Sequence, residues 1–413
     1  MSFHSYLEKK QAIQNALLEY IEKSDNVEEN YQNFITIIND QKIKEDPIEL
    51  KSLFHLILKI SKHHYRTQDF FAKIEKILQN FSNEIKTNHS NFEIFNIFKG
   101  NKRILLYLIK NDLLKIDKTI AQIMTENNKY IEANYPQYFY PEIKQFFGDK
   151  YKAEITDDFE DKRSQGENDD YICGLIRKDS IDEFISYVNE KSLPLQSTIE
   201  PSIFETNPLL IRKVQEKGRN NFRNNYFYRN QKTDNQIKLI DYAAFFGSGQ
   251  IFKYLFLNKA EVSQSIWTFV VHGENQEIIS FLETNNMKPK PDTYKKCFYE
   301  SIKCFHNDIS NYIQNNYLQS YQHSNEVIKY YNFAYIKSEF IDKTVFFDLC
   351  RYDFVYFVKE VLENSSVDVN SKTILIIYFC SFNYKLICFN IICKCIFFNK
   401  ISISRFQSSF IFI

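Results

Sequence analysis

Apolar residues recur along the first third of the chain at the spacing of one helix face. In "ELKSLFHLILKISKHH", Leu53, Leu56, Ile57 and Ile60 fall at i, i+3, i+4 and i+7, which predicts an amphipathic helix. "DFFAKIEKILQNF" and "FNIFKGNKRILLYLIKNDLL" continue in the same style, and strand-like alternation is hard to find. The opening "MSFHSYLEKKQAIQNALLEY" is amphipathic too, with Glu and Lys where the apolar run of a secretory signal would sit. A helical region is therefore expected over residues 1–150.

The pattern then lapses. "EITDDFEDKRSQGENDD", Glu154 to Asp170, has eight acidic residues against two basic ones and little apolar content. It reads as a solvated interdomain linker over 151–170, with an acidic docking segment as the rival.

From Tyr171 the chain becomes self-similar. "IRKDSIDEFISYV" (176–188), "AAFFGSGQIFKYL" (243–255), "VVHGENQEIISFL" (270–282) and "SIKCFHNDISNYI" (301–313) can be set in register, and "LCRYDFVYFVKEV" (349–361) fits the same frame. Each ends one short helix, bends through polar or Gly-containing residues, and starts a second helix. The equivalent apolar anchors are Phe184, Ile251, Ile278, Ile309 and Phe357, separated by 67, 27, 31 and 48 residues. A repeat of about 33 residues with one insertion accounts for these intervals. Leu255 and Leu282 close two of the segments. The predicted architecture over 171–370 is a row of paired helices.

That row explains an anomaly of composition. "DYAAFFGSGQIFKYLFLNKAEV", Asp241 to Val262, holds three of the chain's ten alanines and two of its eight glycines. In a stack, the first helix of each pair lies between neighbours, so Ala243 and Ala244 mark the closest backbone approach, and Gly247 and Gly249 permit a tight bend. A phosphate-binding glycine loop is the competing view. It lacks the preceding strand and the following Lys-Ser/Thr.

The chain resembles an ankyrin-repeat protein at these residues. "KLIDYAA" (238–244) is similar to the family's T-P-L-H-x-A-A, and "IFKYLFLNKAEV" (251–262) to its I-V-K-L-L-L-x-x-G-A-D-V. Thr344 opens "TVFFDLC", and "VKEVLENSSVDVN" closes on Asp368 to Asn370. "FNIFKGNKRILLYLI", "YPQYFYPEI", "SIFETNPLL" and "HGENQEIISFLE" are similar to phrases in a large group of protist ankyrin proteins with a helical N-terminal region. The family's Pro and His are missing from every unit, and Lys259 stands where it has a glycine. A left-handed conformation there would cost about 1 kcal/mol.

The resemblance implies an all-α fold: a helical N-terminal region followed by an ankyrin-type helix-turn-helix solenoid. It also implies a protein–protein interaction module, binding another protein on the concave face and loop tips such as 263–266 and 288–294. No catalysis, cofactor or small-molecule substrate is expected.

Charge and cysteine content agree with that picture. Lys plus Arg equals Asp plus Glu at 52 each, so net charge gives no reason to expect nucleic acid or an anionic membrane. The eight cysteines are scattered, which favours a reducing cytoplasm or nucleus. Cys297, Cys304 and His306 are seven and then two residues apart, unlike the ligand pairs of structural zinc sites, and read as buried core. His55, His63 and His64 read as surface or satisfied core residues. No catalytic motif is present.

Two stretches leave alternatives open. "RKVQEKGRNNFRNNYFYRN", Arg212 to Asn230, interleaves six basic residues with four aromatics. It is expected to be a hydrated loop between repeats, with single-stranded nucleic-acid binding as the alternative. Residues 374–398 hold 20 apolar positions of 25, long enough for a membrane helix of about 20. Lys385 near the middle opposes that reading by about 2.5–3.5 kcal/mol. Out-of-frame AT-rich DNA gives the same mixture and is the preferred account of 371–413, ahead of a membrane-tethered adaptor or an apolar cap.

Overall fold

Leu53, Leu56, Ile57 and Ile60 are all buried along one face of the helix Pro47–His63. The computed structural model of the protein describes residues 3–67, 69–126, 134–211, 236–263, 265–318, 324–336 and 345–364. These residues contain 22 α-helices and no strand, so the chain is all-α. No helix among them is long and apolar enough to cross a membrane. The basic-aromatic stretch 212–230, the apolar run 374–398, Thr344, Asp368 and Asn370 all lie outside the described residues.

The chain does not divide at the acidic segment. Among the described residues, one compact unit takes in 3–57 together with 324–336 and 345–364; the other takes in those between 58 and 318. In the first, Gln14 of the helix Phe3–Glu22 is bonded to residues 332 and 333. Its amide donates to Asn332 Oδ1 at 3.1 Å, and its oxygen accepts the Phe333 N–H at 2.6 Å. Tyr356 donates to Asp46 at 2.6 Å, and Lys51 pairs with Asp353 at 2.5 Å. The fifth expected helix pair, Phe346–Arg351 and Val355–Asn364, belongs to this unit.

Within the second unit the acidic segment is not solvated throughout. Its centre is the helix Phe159–Gln165, with Phe159 and Arg163 buried. Arg163 donates to the Tyr138 carbonyl at 3.0 Å and forks onto Glu142 at 2.8–3.0 Å, and it also pairs with Glu160. The Tyr138 hydroxyl returns a bond to the Arg163 carbonyl at 2.8 Å. The acids surrounding an arginine made the segment look hydrated, yet Glu160 is one of its counter-charges, and Asp158, Glu167 and Asp169 pair with Lys162 or Arg177.

Beyond it, four helix pairs form two rows. Tyr171–Arg177, Leu239–Phe245, Ile266–Gly273 and Pro291–Cys304 pack one on the next. Ile181–Glu190, Gly249–Leu257 and Gln276–Thr284 pack likewise beside them, and Asn307–Tyr317 folds back on Pro291–Cys304. Ala243 and Ala244 are fully buried in the first row. The closest approach involves Gly273 of the next helix, where a Cβ would run into the Ala244 carbonyl oxygen and come within 3.0 Å of that of Phe245.

The bends carry a common backbone device. Asp179, Gly247, Glu274 and Phe305 have φ of 50°, 65°, 52° and 65°, and in every pair the second helix begins two residues later. In three bends the next residue donates its N–H to the carbonyl five positions back. These bonds are Ser180 to Leu175 at 3.1 Å, Ser248 to Ala243 at 2.9 Å and His306 to Ser301 at 3.0 Å. This is the long hydrogen bond of a helix-terminating left-handed cap. Phe354 to Leu349 repeats it in the first unit, with Asp353 at φ 65°. The second helices end the same way at Ser192, Lys259 and Asn286, φ 50°, 62° and 58°. Lys259 therefore holds the left-handed conformation that favours glycine.

This device corrects the register of the first helix pair, Tyr171–Arg177 and Ile181–Glu190, by one residue. Leu175, not Ile176, is equivalent to Ala243, so Phe184 matches Phe252 and Glu183 takes the place of Ile251. Phe184 is the large apolar residue buried at the start of its helix, which drew the alignment toward Ile251.

Candidate functional site

Each of the first three bends in the stack is tied to the following pair through side chains. Asp179 accepts from the Gln250 and Ile251 N–H groups at 3.0 and 2.9 Å, so the first bend caps the second helix of the next pair. Ser248 Oγ donates to the Ile176 carbonyl at 2.6 Å. Asn275 donates to the Gly247 carbonyl at 2.7 Å while its oxygen accepts the Glu277 N–H at 2.8 Å, capping its own helix. Glu274 then pairs with His306 Nδ1 at 2.6 Å. The four bends are thus bonded in series.

The sequence-marked repeat positions distribute as follows. Ile251, Leu255, Ile278 and Leu282 are buried between the rows. Ile309 is only half-buried; its neighbour Ser310 is fully buried, bonding Ser301 Oγ at 2.7 Å and the His306 carbonyl at 3.0 Å. Around the loop 288–294, Lys288 and Lys290 to Asp292 are exposed, while Thr293 is buried and Trp267 anchors the base through Met287 O at 2.9 Å. In 263–266, Ser265 is exposed and Ile266 fully buried.

Asp241 is buried at the head of Leu239–Phe245, where it accepts the Lys238 N–H at 3.2 Å. Burial raises its pKa to about 6, against that hydrogen bond. An acid with a raised folded-state pKa binds its proton more tightly when folded, so stability should fall as pH rises from about 4 to about 6 and then level off. The shift corresponds to roughly 3 kcal/mol. Asp241→Asn should abolish most of this slope in denaturant titrations at pH 4.5 and 7; an unchanged slope would show that Asp241 is not its source.

A polar cluster is buried between the third and fourth pairs. His272 Nδ1 lies 3.2 Å from Glu300 Oε1 and 3.1 Å from Cys304 Sγ, and Sγ lies 3.5 Å from the same Oε1. All three residues are at most 5% exposed, counting the Glu300 side chain. Lys303 Nζ pairs with the other Glu300 oxygen at 2.5 Å, and Phe245 stacks on the His272 ring at 3.9 Å. Burial lowers the His272 pKa to about 4, despite the Glu300 bond. Burial opposes the Glu300 charge, but Lys303 and His272 outweigh it and hold the carboxylate at about 2. Burial pushes the Cys304 thiol well above its usual range. At neutral pH the group is a neutral imidazole and a thiol beside an ionised Glu300–Lys303 pair.

Sequence spacing had grouped Cys304 with Cys297 and His306. The fold assigns Cys304 to His272 and Glu300 instead, while Cys297 is buried outside the group and His306 faces Glu274. His64 is buried with its ring 5.7 Å from that of His306; His55 and His63 are half-buried. His272 was missed. The available signal was periodic: Cys304 follows it by 32 residues, about one repeat, and Glu300 sits one helical turn before Cys304. Compared with protein-family models, curated proteins and solved structures, the chain matches none.

Proposed function

We propose that the helix-pair stack over 171–317 is a protein-binding module of the ankyrin type, taking its partner on exposed loop tips and the face beside them. The observation that carries this reading is the serial bonding of bends, from Asp179 to Gln250 and Ile251, from Asn275 to Gly247, and from His306 to Glu274. This bonding holds successive tips in register with one another. Such a surface binds by shape and side-chain complementarity. Lys288, Lys290 and Asp292 are the exposed tip residues of the third-to-fourth connection. A rigid platform loses little conformational entropy on binding, which favours a macromolecular partner over a small ligand.

The test is cross-linking of the full-length chain in native extract, with peptides mapped by mass spectrometry. The proposal expects protein cross-links concentrated on Lys288, Lys290 and Lys259, and their loss in Lys288→Glu/Lys290→Glu. Cross-links that avoid the stack, or that persist in the charge-reversed variant, would refute it.

A further inference from the structure

We infer that His272, Glu300 and Cys304 form a site for a divalent transition-metal cation of the zinc class. The three potential ligand atoms are mutually 3.1–3.5 Å apart. Bonds of about 2.0–2.3 Å to a tetrahedral ion require ligand–ligand edges of roughly 3.3–3.8 Å. Movements of a few tenths of an ångström would therefore place an ion between them. Imidazole, carboxylate and thiolate together suit zinc and cobalt better than magnesium or calcium, which take oxygen ligands.

Charge supports the same assignment. A dication is itself neutralised by one carboxylate and one thiolate, which leaves the Lys303 ammonium, its side chain 13% exposed, as the cluster's one remaining charge. Glu300 is already oriented: Lys303 engages Oε2 at 2.5 Å, leaving Oε1 turned toward His272 and Cys304. A hydrogen-bonded outer oxygen of this kind fixes a metal-ligating carboxylate. The fourth position falls to water. Ligation replaces the Cys304 S–H bond by a metal–sulfur bond and releases that proton to solvent. Because the ligands come from two adjacent helices, Ile266–Gly273 and Pro291–Cys304, the ion would clamp the third pair to the fourth. Buried ligands also imply slow exchange: a chelator should strip the ion from partly unfolded protein far faster than from native protein.

The experiment uses full-length, tag-free protein in which the tail cysteines are replaced (Cys380→Ser, Cys388→Ser, Cys393→Ser, Cys395→Ser), titrated with Co(II) alone and then competed with Zn(II). The expected result is one Co(II) per chain, with thiolate-to-cobalt charge-transfer absorption in the near ultraviolet that Zn(II) abolishes. Cys304→Ala should lose this absorption, Cys297→Ala should keep it, and Glu300→Gln should weaken the Kd at least about 10-fold. Helical circular dichroism checks that each variant folds. Absence of the absorption in the parent protein overturns the proposal whatever the variants do, as does its survival in Cys304→Ala or its loss in a folded Cys297→Ala.

Discussion

Gly273→Ala should cost on the order of 3 kcal/mol or more and separate the second helix pair from the third. The added methyl points into the Ala244 carbonyl oxygen and also approaches the Gly247 nitrogen at 2.9 Å and the Phe245 oxygen at 3.0 Å. These are backbone atoms, so no side-chain rotation relieves the overlap, and the helices must move apart. Overpacking of a well-packed interior typically costs 1–3 kcal/mol and more where the backbone has to shift. Moving the helices also stretches the Asn275–Gly247 bond and disturbs the Phe245 ring on His272. Chemical denaturation should show the drop in midpoint. Gly174→Ala is the control, because a Cβ there meets only the far end of Arg177 at 3.9 Å. Equal midpoints for the two variants would contradict the close packing.

Arg163→Met should be the second most damaging change, at roughly 3 kcal/mol. The guanidinium is almost fully buried and joins the helix Phe159–Gln165 to Glu142 of the helix Tyr140–Phe147 and to the carbonyl of Tyr138, which ends the helix Tyr135–Tyr138. Removing one member of a buried ion pair leaves its partner uncompensated, typically at 3–5 kcal/mol. The lower end applies here because the Glu142 side chain keeps 16% of its exposure and can draw water. Adding Glu142→Gln should recover part of the loss, since the stranded charge is then gone. Strict additivity of the two changes in a double-mutant cycle would argue that the pair is not coupled.

The helical class was legible because it is written locally. Leu53, Leu56, Ile57 and Ile60 share a helix face within eight residues, and the bends recur at intervals a reader can align. Ala243 and Ala244 stand out because the chain has few small residues. Three things were not local. Glu183 occupies the position of Ile251, so side-chain pattern shifted the first helix pair by one; the left-handed Asp179 and the Ser180–Leu175 hydrogen bond fix it. Gln14 finds Asn332 across more than 300 residues, a pairing that leaves no periodic trace. The polar cluster is assembled from two successive pairs, so no single stretch of sequence contains it. Arg163 shows the opposite failure: a hydrophilic run hid a buried residue, because its main partners, Glu142 and the Tyr138 carbonyl, lie outside the run, and only Glu160 within it pairs with it.

The most direct test of the stacked arrangement is amide hydrogen exchange of Asp179→Ala against the parent protein. Asp179 caps Gln250 and Ile251, more than 70 residues downstream, and loss of a cap costs about 1 kcal/mol. If the first bend rests on the second pair, exchange should quicken at Gln250 and Ile251 while the amides of Gln276–Thr284 remain as protected as before. Unchanged exchange at Gln250 and Ile251 in a folded variant would mean that the first two pairs are not stacked, and the arrangement of the whole row would fall with them.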